Sequence, residues 1–335
     1  MNISTVLRYF LVLLALGSSF MILSCDDDKS YDVVGDPSNI VYINMQEWSS
    51  INTPKNSLAF NVLHTPIGEV GKVSAKISVR STKPMGKTVT VQAKLDNSLV
   101  ETYNTTYKTS YATIPDGIVK VSNEMVSIAE GKFLSGDSVL ISVDSAKLAT
   151  LTEPVYLIPV RLVSTSDAKI KISSDYNTAY VLINRSVTNL YNSPVAADMT
   201  GTLLTGKTLW SASLNVAFSN AITRLLDGST STYCLISPAQ PCALTVDMKN
   251  EYSGITGIRL HSYSTSYSIT SANILTSNDG NEWTSQGTAA LSISTAYQYV
   301  KFFAPVTVRY IKVDIKGYRS STYLVLAEVD VYRTN

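Results

Sequence analysis

Ile274-Leu275-Thr276-Ser277-Asn278-Asp279-Gly280, with Trp283 three residues further on, is the stretch on which the fold turns. Apolar Ile274 and the alternating residues after it read as a half-buried strand. Asp279-Gly280 reads as the turn of a hairpin. Outward from it the same pattern repeats. Leu244-Thr245-Val246-Asp247-Met248 and Ile255-Thr256-Gly257-Ile258-Arg259-Leu260 precede it. Val300-Lys301-Phe302, Ala304-Pro305-Val306, Arg309-Tyr310-Ile311-Lys312-Val313 and Ala327-Glu328-Val329-Asp330-Val331-Tyr332 follow. Strands of this kind, one after another, read as a β-rich domain with one face packed and one face in water.

Composition agrees. The chain has 335 residues, 45% apolar and 16% charged, with a formal net charge of +1. At about 150 residues per domain this predicts two domains. Such a chain is too apolar to be disordered, and it lacks the basic excess of a nucleic-acid binder. Serine and threonine together number 78, with 20 tyrosines, which suits strands with hydroxyl-rich outer faces. Two histidines (His64 and His261) and three cysteines exclude a multi-histidine metal enzyme and a cysteine zinc cluster.

The first half carries strand patterns of its own. Lys72–Val79 alternates strictly, and Thr88–Val91, Val139–Val143, Val155–Val160 and Ala179–Ile183 are further strand runs. Pro159 inside its run predicts an edge strand or a bulge. Asp96 to Thr106 reads as a short helix, with Leu99, Val100 and Tyr103 on one side and Asp96 capping its first turn. Asn189 to Pro194 reads as a short linker.

The N-terminus reads as an address. Tyr9–Ser24 is uncharged, with Arg8 just before it, and is short for a membrane span. It ends in Ile22-Leu23-Ser24-Cys25, which resembles the lipobox of bacterial lipoproteins. That resemblance implies a signal peptide over 1–24 and a lipid on the Cys25 thiol. An ordinary secretory signal is the alternative. Asp26-Asp27-Asp28-Lys29 follows and resembles the export signal of Bacteroidetes surface lipoproteins, which implies an outer-membrane, cell-surface location. Residues 25–39 read as an acidic tether.

Two further resemblances cover the rest. Residues 40–185, with Tyr103-Asn104, Ile114-Pro115, Val126–Gly131, Leu157-Ile158-Pro159-Val160 and Ile172-Ser173-Ser174, resemble the N-terminal domain of unknown function of Bacteroidetes polysaccharide-utilisation lipoproteins. That implies an immunoglobulin-like sandwich. Leu225-Leu226-Asp227-Gly228, Ser231-Thr232-Tyr233 and the strands above, in order over 190–335, resemble a coagulation factor 5/8 type C (discoidin) domain. Its bacterial members include family 32 carbohydrate-binding modules, with a jelly-roll-like β-sandwich. Cys234 departs from the pattern, where an aromatic residue usually follows Thr-Tyr.

The discoidin resemblance implies a structural calcium ion held by Asp227, Thr232 and Glu328, pinning two loops. The alternative is that Asp227 caps its own turn and Glu328 faces solvent. It also implies oligosaccharide or polysaccharide binding on loops at one end of the sandwich. Trp210, His261, Tyr263, Tyr267, Tyr318, Arg319 and Tyr323 are the candidates, since sugars are held by aromatic rings under their apolar faces and by planar donors. Trp283 is assigned to the core. Cys234 and Cys242 bracket a short loop and read as a disulfide outside the cytoplasm, with two free buried thiols as the alternative. Two sandwiches leave no stretch for a catalytic domain, and His64 reads as a strand-end residue. The function expected is therefore non-enzymatic glycan capture at the cell surface, beside a glycan transporter or secreted hydrolase. A surface adhesion or structural protein that binds a protein ligand is the alternative.

Overall fold

Alternation between core and solvent builds two β-sandwiches in succession. The structure, a computed structural model, describes residues 38–45 and 56–334. The expected signal peptide over 1–24, the lipidation site Cys25 and the tether as far as residue 37 lie outside the described residues. Asn39, expected as the last tether residue, is already fastened down. Its side chain donates to Lys83 O and accepts from Lys83 N.

The first sandwich comprises β1 (Ile40–Ile43), β2 (Ser57–Thr65), β3 (Gly68–Val70), β4 (Ser74–Ile77), β5 (Val79–Ser81), β6 (Val89–Leu95), β7 (Ala112–Thr113), β8 (Val119–Ser122), β9 (Met125–Ile128), β10 (Val139–Val143), β11 (Val155–Thr165), β12 (Lys171–Ile172) and β13 (Thr178–Val187). The main sheet runs β3-β2-β13-β11-β6-β9, and two three-stranded sheets run β4-β10-β8 and β12-β1-β5. Inward-facing residues such as Val139, Ile141, Ile158, Leu162 and Val181 meet in one apolar core.

Pro159 lies in the interior strand β11, not at an edge. On one side it pairs with Tyr180 of β13. On its other side β11 changes neighbour, from β7 at Tyr156 and Leu157 to β6 from Val160 onward. The donor that proline lacks therefore falls in the gap between two partners. Pro159 itself keeps regular register with β13, so neither expectation holds there; the register shift of β11 lies further along, between Leu162 and Ser164. The expected helix is α1 (Leu99–Tyr107), and a single turn, α2 (Ser145–Leu148), follows β10. Val100 and Tyr103 of α1 pack on Leu157 and Leu182. Asp96 does not cap the helix through its side chain. Its carboxylate accepts the Ser98 hydroxyl instead, at 2.5 Å.

The second sandwich comprises β14 (Thr202–Leu203), β15 (Ser211–Leu214), β16 (Cys234–Ile236), β17 (Cys242–Ser262), β18 (Ile269–Ser277), β19 (Thr284–Ala290), β20 (Tyr297–Tyr318) and β21 (Leu324–Arg333). Strand runs that look separate in sequence are continuous. Leu244–Met248 and Ile255–Leu260 both belong to β17, which is irregular between Asp247 and Gly257. The first part of β17 pairs with β15 and the later part with β21, so the strand passes from one sheet to the other. β20 spans both sheets in the same way. Between them lie Leu244, Ile258, Ile274, Ile311, Val313, Val329 and Val331.

The segment expected as a linker is bonded into this sandwich. Asn189 N donates to Gln286 O, Tyr191 N donates to Lys301 O, and Leu190 bridges Phe302. Little free chain is left between the sandwiches.

Candidate functional site

The register of β21 defines two ends of the second sandwich. At one end Thr202 pairs with Arg333, and Thr334 N donates to Gly254 O. At the other end β21 begins, β17 and β20 finish, and three loops meet: 237–241, 263–268 and 319–323. Backbone bonds lace them together. Ala239 N donates to Thr322 O at 3.2 Å, and Arg319 N donates to Ser268 O at 2.9 Å.

Tyr267, Arg319 and Tyr323 come together on these loops. The Tyr267 and Tyr323 rings meet edge to face, with centroids 6.1 Å apart. Arg319 is exposed, and among the described residues its one side-chain hydrogen bond is a long one, from Nη1 to Thr265 O at 3.3 Å. Tyr323 is 39% exposed and Tyr263 is 48% exposed. Tyr263 pairs instead with Tyr233, a residue not expected at the site, at 4.7 Å between centroids. The loop end therefore offers rings and a guanidinium whose donors are largely free.

Three expected site residues stand elsewhere. Trp210 is 6% exposed and belongs to the apolar core, so it is no platform for a sugar. Tyr318 is partly buried against the same core. His261 sits within β17, which runs on to Ser262, so it is not at a loop mouth. It lies in a row across three strands, opposite Glu328 on one side and Tyr297 on the other. Its ring meets that of Tyr297 edge-on at 4.4 Å. Burial, with Arg259 nearby, lowers its pKa. Trp283, assigned to the core, is only partly buried. Its Nε1 donates to Gly280 O at 3.1 Å, and Lys312 Nζ lies 3.6 Å from its ring centroid.

The next row on the same face of the sheet is Asp330, Arg259 and Tyr299. Arg259 Nε and Nη2 both donate to Asp330 Oδ2, at 2.9 and 2.7 Å. Lys207 Nζ donates to Asp330 Oδ1 and lies 2.9 Å from Glu328 Oε1. Alternation along β17 places Arg259 and His261 on one face, a signal present in the sequence. Lys207 carries no such signal, because its approach comes from the turn over Lys207–Leu209.

The residues expected to hold calcium do not fit that ion. Asp227 Oδ1 accepts Ser229 N at 2.8 Å, and Oδ2 accepts Thr232 Oγ1 at 2.7 Å, so the carboxylate closes its own turn. Glu328 is 3% exposed, contrary to a solvent-facing alternative. Its Oε1 and Oε2 are both buried without a hydrogen-bond partner. Two such oxygens fall short of the roughly six to eight that calcium takes. The Lys207 ammonium already stands against the same carboxylate. Among the described residues no three histidine, cysteine or acidic side chains are grouped to hold a metal. Burial raises the Glu328 pKa, with Lys207 opposing.

The expected disulfide is not formed. Cys234 and Cys242 are free and buried. Cys234 pairs with Leu326 of β21, whereas Cys242 pairs with Ile315 of β20, so the two stand beside different strands. Burial pushes both thiols up to about 11.

Residues 210–329 match the family model of the F5/8 type C domain. The C-terminal sandwich is an F5/8 type C domain. Residues 36–169 match a family model described as an N-terminal domain. A two-domain protein of unknown function from Bacteroides fragilis is similar in fold along both sandwiches. It is 17% identical, with a TM-score of 0.54, covering 88% of this chain and 95% of that one. The module CpGH89CBM32-5 from Clostridium perfringens, solved with GalNAc-β-1,3-galactose, is 18% identical with a TM-score of 0.34, covering 39% of this chain and 99% of that one. The C-terminal domain of a Bacteroides fragilis chitobiase is 26% identical with a TM-score of 0.32, covering 40% of this chain and 98% of that one. No curated protein matches the chain.

Proposed function

We propose that the F5/8 type C domain binds glycan at its loop end, without catalysis, on a protein held by lipid at the outer-membrane surface. The observation that carries this reading is the meeting of Tyr267, Tyr323 and the exposed Arg319 on two of the three laced loops. A ring offers an apolar face to the C–H face of a sugar, and a guanidinium offers planar donors to its hydroxyls. Weak single-site binding suits many anchored copies acting together, beside a glycan transporter.

A glycan array probed with the purified protein tests the binding. Binding to an oligosaccharide or polysaccharide supports it. Binding to a protein ligand with no glycan signal overturns it in favour of adhesion. The anchor is tested by Cys25→Ala, which is expected to abolish lipid labelling and release the protein to the soluble fraction. Membrane retention at the wild-type level overturns the anchor.

A further inference from the structure

Beside the loop end, near the Asp227 turn, two carboxylates are packed on one face of β21. Glu328 is 3% exposed and Asp330 is 6% exposed. Buried carboxylates need a compensating cation. Asp330 has Arg259 on Oδ2 and Lys207 on Oδ1. Glu328 has Lys207 on Oε1 and a nearby like charge in Asp227. The Lys207 side chain is 14% exposed, so its ammonium lies within the site and not above it.

We propose that Lys207 is the resident cation of this site, supplying from within the chain the charge that a metal ion would otherwise bring to Glu328. The inference is independent of the glycan reading. The position of Lys207 follows from local structure. Gly206 adopts φ +75°, in the left-handed region, and starts the turn that carries Lys207 over β21. Trp210, at the end of the same turn, is anchored in the core and holds the lysine in place.

Thermal unfolding of the full protein, in millimolar calcium and in chelator, tests this. The wild-type midpoint is expected to be the same in both. Lys207→Met is expected to lower it by about 5 °C or more, because Arg259 stays on Asp330 and the buried Glu328 carboxylate is left without its cation. Lys207→Arg is expected to keep much of the stability. A wild-type midpoint that rises with calcium and falls with chelator overturns the proposal, and so does a Lys207→Met midpoint equal to wild type. If Lys207→Met does not fold, the wild-type comparison and Lys207→Arg still decide.

Discussion

Two neighbouring regions of the F5/8 type C domain hold similar residue types in opposite states. On the face of β21, Arg259 and Lys207 are spent on Asp330 and Glu328. On the loop end, Arg319 faces solvent with one long bond to Thr265 O. The difference is in unspent donors. A guanidinium already held in two bonds by a carboxylate has little to offer a ligand, whereas a free one has most of its donors available. Binding is therefore sought at the loops and stability at the sheet face.

The largest expected effect tests the stability side. Trp210→Ala removes a ring from the core and is expected to cost about 3–5 kcal/mol. Trp283→Ala removes a partly buried ring under Lys312 and is expected to cost about 1 kcal/mol. Denaturant unfolding of both variants measures the contrast. Equal costs would break the assignment of the two tryptophans, and so would a Trp210→Ala protein that stays fully stable and loses glycan affinity.

Those tryptophans show where sequence reading stops. Strand alternation is legible, as in Val139–Val143, and so is the order of elements that marks the domain. The place of Trp210 is not, because a ring at the end of a short turn points in or out according to contacts remote in sequence. Trp283 escapes for the same reason: the cation over its ring comes from β20. His261 is decided by the length of β17, since a strand that runs two residues further turns a loop residue into a sheet residue. The placement of Tyr267, Arg319 and Tyr323 between strands is legible because Gly317 and the serines near them interrupt alternation. Lys207 is not, because its partners lie more than a hundred residues away.

The effect that decides function is one of affinity, with the smallest change in stability. Tyr323→Ala removes one ring of the edge-to-face pair, and Arg319→Ala removes the free guanidinium. A sugar hydroxyl left without its donor costs about 1–3 kcal/mol, and a sugar face left without its ring loses its apolar contact. Each variant is therefore expected to weaken glycan binding about tenfold or more, since about 1.4 kcal/mol is one decade. Both side chains are exposed, so unfolding should shift by no more than about 0.5 kcal/mol. Titration calorimetry with a glycan found on the array, set beside the unfolding curves, separates the two effects. His261→Ala provides the control from the sheet face: its ring is buried against Tyr297, so its change is expected in stability and not in affinity. Wild-type affinity in Tyr323→Ala and Arg319→Ala, with lost affinity in His261→Ala, would move the site from the loop end to the face of β17.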